Sequence, residues 1–195
     1  MRRAAVAAAG TLALLAAAPA RSQVQAVEPT FQLDAKHDVR GPLDAVRVAM
    51  STRADGTLRA EVTMRARWAS SQVGERGSIC IKLYVKADPD GEPPDSLVCA
   101  TPDAAGTGLT GRVLRNRANG LPVTVAPAVL SRPTARTLYL GFEPSAIRSP
   151  ATLRFAVETV WRGSRKCPPA AGCRDLAPNA PDARDFRLRQ PARSG

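Results

Sequence analysis

The residues best suited to chemistry gather early in the chain. Positions 34 to 44 read DAKHDVRGPLD and hold Asp34, Asp38, Asp44 and the only histidine, His37. Carboxylates with peptide carbonyls between them form the oxygen set that Ca²⁺ takes. Asp34, Asp38 and Asp44 are therefore the metal-site candidates, with calcium the one cofactor they suit. The plainer reading is turn formation and strand capping, because Asp, Gly and Pro are what turns select. One histidine restricts catalysis sharply. A serine or cysteine nucleophile with a histidine base would have to use His37, which sits among Asp34, Lys36, Asp38 and Arg40 in a polar loop setting. No GxSxG elbow surrounds any serine, and HExxH, Walker A and Rossmann glycine patterns are absent. The reading is a protein without catalytic activity; a carboxylate-pair hydrolase, which needs no sequence signature, is the alternative.

Cys80, Cys99, Cys167 and Cys173 are even in number and lack CxxC spacing, so they read as disulfides and not as a zinc site. Carbohydrate platforms need exposed aromatic rings, and aromatic residues make up only 4% of the chain. Trp68 and Trp161 fall in phase with the apolar residues of their segments and belong to a core. Tyr84 and Tyr139 fall out of phase and are the ligand-binding candidates, although cross-strand packing is the commoner role of a sheet tyrosine.

Strands must position these groups. In TLRAEVTMRARW, Leu58, Ala60, Val62, Met64, Ala66 and Trp68 alternate with Arg59, Glu61, Thr63, Arg65 and Arg67. That period of two means one buried and one wet face. The preceding LDAVRVAMST places Val46, Val48 and Met50 in one phase. A three-residue loop, Ala54-Asp55-Gly56, sets Met50 against Ala60, Val48 against Val62 and Val46 against Met64, with Gly56 as the left-handed residue. A two-residue loop would mix the faces. The chosen register puts Asp44 inward with Val46 and Val48, where a carboxylate needs backbone N–H groups, an arginine or a cation.

In GSICIKLYVKA the residues Ile79, Ile81, Leu83 and Val85 point inward. If Asp88 to Gly91 form the next loop, Cys80 stands directly opposite Cys99, which favours Cys80–Cys99 and Cys167–Cys173 among the three possible pairings. Further strands are expected at Arg112–Arg117, Val123–Ala126, Thr137–Phe142 and Thr152–Arg162, with a helical turn over Glu143–Ile147. Short strands between Pro/Gly/Asp turns indicate an all-β, single-domain antiparallel β-sandwich, immunoglobulin-like or jelly-roll-like, over residues 27–188. Residues 189–195 are read as a flexible basic tail.

The N-terminus reads as a secretory signal over residues 1–26. Arg2 and Arg3 are followed by an apolar stretch from Ala4 to Ala18, too short for a spanning helix, and by small-residue cleavage sites after Ala20 and Ala26. With no cysteine after that stretch and no later apolar span, the expected protein is secreted or extracytoplasmic without a transmembrane segment. LPVTV at 121–125 lacks the final Gly and the apolar tail of a wall-sorting signal. The formal charge is +11, and losing Arg2, Arg3 and Arg21 leaves +8. Such a charge draws anionic polymers; export argues against nucleic acid as the partner.

The segment Asp34–Trp68, D-x-x-x-D-x-x-G-P-L-D leading into alternating strands that finish on Trp68, resembles the opening of family 9 carbohydrate-binding modules and DOMON-type domains. It spans about a fifth of the chain. The resemblance implies an exported sandwich, with Asp34, Asp38 and Asp44 as possible calcium ligands. This chain has no second histidine for haem and no out-of-phase tryptophan for sugar. The functional expectation is a binding module of the bacterial envelope or extracellular space, with a glycan or other anionic polymer as ligand. The alternative is an envelope assembly protein that contacts other proteins.

Overall fold

A computed structural model describes residues 29–34, 39–74, 76–87, 89–168, 171–178 and 183–188. The signal segment 1–26, His37, Asp38 and the tail 189–195 lie outside the described residues. Eleven strands form one antiparallel sheet: β1 (Thr30–Leu33), β2 (Ala45–Thr52), β3 (Leu58–Met64), β4 (Gly77–Tyr84), β5 (Ser96–Pro102), β6 (Leu109–Arg115), β7 (Val123–Ser131), β8 (Thr137–Phe142), β9 (Thr152–Trp161), β10 (Cys173–Ala177) and β11 (Arg184–Arg187). Their order is β1-β2-β3-β8-β7-β6-β5-β4-β9-β10, with β11 also on β9. The sheet folds over on itself into a nearly closed, barrel-like body. The all-β, antiparallel fold class read from the strand periodicity is the one found.

Two layers result because β7 changes partner along its length. Val123–Ala128 pairs with β6, and Val129–Ser131 pairs with β8. The core lies between the layers. Leu58, Ala60, Val62 and Met64 of β3 are fully buried, and their neighbours Arg59, Glu61 and Thr63 are half-exposed. That period-two split is what the sequence requires of a strand with one wet face. Facing them from the second layer are Ile79, Ile81, Leu83, Val98, Val113 and Phe155. Trp68 and Trp161 are buried in this core; Trp161 ends β9 in phase with its apolar residues, whereas β3 stops at Met64 and Trp68 enters the core from beyond the strand that was expected to reach it. The Arg132 guanidinium stacks over Trp68, 3.7 Å from a ring centroid, and donates to the Trp68 carbonyl at 2.6 Å.

The hairpin loop 54–56 forms as expected. Gly56 takes φ +86°, and Asp55 Oδ1 accepts the Thr57 N–H at 3.0 Å. Met50 pairs with Ala60 and Val48 with Val62. The predicted Val46–Met64 pair does not form, because a bulge between Ala45 and Arg47 leaves Val46 out of the ladder and gives Met64 to Ala45. A bulge inserts one residue and reverses the phase beyond it. β7 likewise runs on to Ser131, past the Ala126 end expected for it.

β1, β10 and β11 are additional to the strands expected from the sequence. β10 packs beside β2 and β11 beside β1, so the last strands cover the seam where the sheet nearly closes. Thr159 donates to the Leu43 carbonyl across that seam. Gly41 of the Gly-Pro turn sits there at φ +114°, where a Cβ would come within 2.3 Å of Trp161 Cδ1. Only glycine fits that place.

Candidate functional site

The aspartates of the opening loop divide. Asp34 follows β1, its N–H donating to the Val46 carbonyl at 3.1 Å. Asp44 is fully buried, and the bulge places it opposite Arg65 and out of phase with Val48. Its carbonyl accepts the Arg65 N–H at 2.7 Å and its Oδ2 accepts from Arg65 Nε, while Oδ1 is buried with no hydrogen-bond partner. Of the partners named for Asp44 from its sequence position, an arginine is found, Arg65. One residue on, the Ala45 N–H donates to Asp175 Oδ2 at 2.7 Å. The bulge frees that N–H from the ladder, and β10 supplies the acceptor. No three His, Cys, Asp or Glu side chains among the described residues are placed to hold a metal ion.

The tyrosines part as well. Tyr84 is only 6% exposed, so the surface position expected for it is not found. Burial, then the Glu158 charge, pushes its phenol above its ordinary value. Glu158 is itself shared between Lys82 Nζ and Arg174 Nη2, each at 2.8 Å. Burial alone would raise the Glu158 carboxyl, but the bonds from Lys82 and Arg174 hold it below the usual range. Tyr139 lies half-exposed on the outer face of the other layer, with the Arg59 guanidinium 4.8 Å from its ring centroid. Both cystines are formed, Cys80–Cys99 and Cys167–Cys173. Cys80 stands opposite Cys99 in the β4–β5 ladder, the register expected, although β4 ends at Tyr84, β5 begins at Ser96 and the connection is longer than the Asp88–Gly91 loop read from the sequence.

The concavity of interest lies at one end of the barrel. A cleft of about 230 Å³ is lined by residues of the β4–β5 connection, among them Val85, Lys86, Pro93 and Pro94, by Arg115, Asn116 and Arg117, and by Ile147 and Arg148. Four cationic residues are among those lining it, and the Arg115 guanidinium donates to the Ala146 carbonyl at 3.4 Å. Among the described residues its one carboxylate, Asp95, accepts the N–H groups of Val85, Lys86 and Ala87 at 2.7, 2.9 and 3.0 Å through a single oxygen. Partial burial would raise the Asp95 carboxyl, but these three donors hold it below the ordinary carboxylate range. Asp95 thereby fastens the end of β4 to the start of β5 and fixes one wall. Asn116 completes the joint, its Nδ2 donating to the Pro94 carbonyl at 2.5 Å.

Another part of the lining is built by a short 3-10 turn, Pro144–Ile147, that ends on Arg148. Arg148 and Ser149 are the two non-glycine residues at positive φ among the described residues, +68° and +44°. Left-handed backbone at an arginine is costly, and such strain collects at functional positions. Lys86, Arg115, Arg117 and Arg148 were not singled out by the sequence, since they come from three stretches that only the fold brings together.

Comparison with protein-family models, curated proteins and solved structures finds no match for the chain. Among the described residues, no helix is long and apolar enough to cross a membrane.

Proposed function

We propose that this protein is a non-catalytic, exported binding module of the bacterial envelope or extracellular space, and that the cleft beside Arg148 holds an anionic polymer, an acidic glycan first. The charge asymmetry of the cleft carries the reading. Among the described residues four cations line it, and the single carboxylate is committed to three backbone donors. A concave surface with one sign of charge concentrates polyanions of the opposite sign. Two cystines suit an oxidising compartment outside the cytoplasm. The test is retention on immobilised polygalacturonate. Binding is expected to fade as salt rises, and Arg115→Ala or Arg148→Ala should each weaken it about fivefold, as befits a lost charge-assisted contact. Retention indifferent to salt and to both substitutions would overturn the reading.

A second reading has its own observation. Strand β1 carries Phe31 and Leu33 on its outer face, 51% and 63% exposed. Apolar side chains grouped on an outer sheet face offer a contact surface for another protein, which favours an assembly role in the envelope. Capture of a partner protein that persists in high salt, and is lost in Phe31→Lys, would support it over the first.

A further inference from the structure

The loop joining β6 to β7 has a second side. Arg117 and Ala118 form part of the cleft wall, and Leu121 of the same loop is 86% exposed, the most exposed large apolar side chain among the described residues. Four residues of chain reach at most about 14 Å, so the Leu121 backbone lies within that distance of the Arg117 backbone. Gly120, at φ +133° with open space around it, turns the chain just before Leu121. Val125, exposed at the bulge of β7, continues the apolar side. A lone exposed leucine is ordinary on a protein surface. One held on the same loop as a cleft cation is the pairing an anionic lipid surface selects, since interfacial binding combines apolar insertion with attraction to charged headgroups. A soluble polyanion has use for the arginines but none for Leu121.

We infer that this end of the barrel docks onto an anionic lipid bilayer, with Lys86, Arg115, Arg117 and Arg148 meeting headgroup phosphates and Leu121 entering the acyl boundary. The inference rests on the reading of the cleft as an anion site and commits that anion to a membrane. The acidic residues Asp90 and Glu92 belong to the neighbouring β4–β5 loop and do not line the cleft.

Sedimentation of the full chain with phosphatidylglycerol-rich vesicles, against pure phosphatidylcholine vesicles, tests it. Binding is expected to the anionic vesicles, and Leu121→Asp should weaken it about tenfold, the value of one inserted leucine. Arg117→Ala and Arg148→Ala should each cost about fivefold. The apolar N-terminal stretch is common to every variant, so the difference isolates residue 121. Leu121 is too exposed for its replacement to disturb the fold, and circular dichroism checks this. Equal binding of wild type and Leu121→Asp, or equal binding to both vesicle types, would overturn the inference. A parallel arm with soluble polygalacturonate separates the two readings. Salt-sensitive polymer binding without vesicle binding sinks the membrane and keeps the anion cleft, whereas loss of both sinks both.

Discussion

Asp44 and Arg65 face each other just beyond the β2–β3 ladder, joined through backbone and side chain alike, with the carboxylate fully buried and the guanidinium side chain 34% exposed. The asymmetry fixes which partner is dispensable. Removing the arginine strands a buried charge, whereas neutralising the aspartate leaves an arginine that can turn to water. Arg65→Ala should therefore cost about 3 kcal/mol and Asp44→Asn about 1 kcal/mol in urea denaturation. The double substitution Asp44→Asn/Arg65→Gln should be more stable than Arg65→Ala alone.

Asp95 makes the cleft sensitive to acid. Its folded-state pKa lies below the unfolded value, so its stabilisation is complete above about pH 4 and is lost as pH falls through the folded value. Asp95→Asn keeps an acceptor oxygen but not the charge. Urea midpoints followed downward from neutral pH should fall less steeply below about pH 4 in this variant than in the wild type.

Arg148 sets stability against binding. Replacing it with glycine removes the left-handed penalty and the charge together. Arg148→Gly is expected to raise stability by about 1 kcal/mol while weakening polygalacturonate retention about fivefold. Arg148→Ala should weaken binding similarly without the gain in stability. Thermal melts and retention measured on the same samples check both halves.

The two cystines differ in the loop each closes. Residues 80 and 99 are separated by 19 positions, residues 167 and 173 by 6. Loop-closure entropy then assigns about 3 kcal/mol to the first bridge and about 2 kcal/mol to the second. Paired Cys→Ala variants compared by denaturation should preserve that order. Non-reducing peptide mapping should recover no crossed pair.

What the sequence discloses is governed by periodicity. Thr57–Trp68 is legible because every second residue is apolar and the buried face admits nothing else. The Cys80–Cys99 pair is legible because loop length sets register. β1 hides because its apolar residues Phe31 and Leu33 point outward. β10 hides because an inward position holds Asp175, which serves the Ala45 N–H. The bulge at Val46 is a backbone event without a residue signature, and it undoes the phase argument for Asp44 while leaving that residue buried. The cleft is the least legible feature. Its cations at 86, 115, 117 and 148 share no spacing, and an arginine-rich chain gives no reason to choose those four.

β7 has a mechanical corollary. Because one continuous strand is the shared outermost strand of both layers, neither layer possesses a boundary at which the chain could be divided into autonomous halves. Severing the backbone near Ala128 would deprive each half of a strand at once, so the molecule should melt as one cooperative unit and resist rescue by complementing fragments cut there.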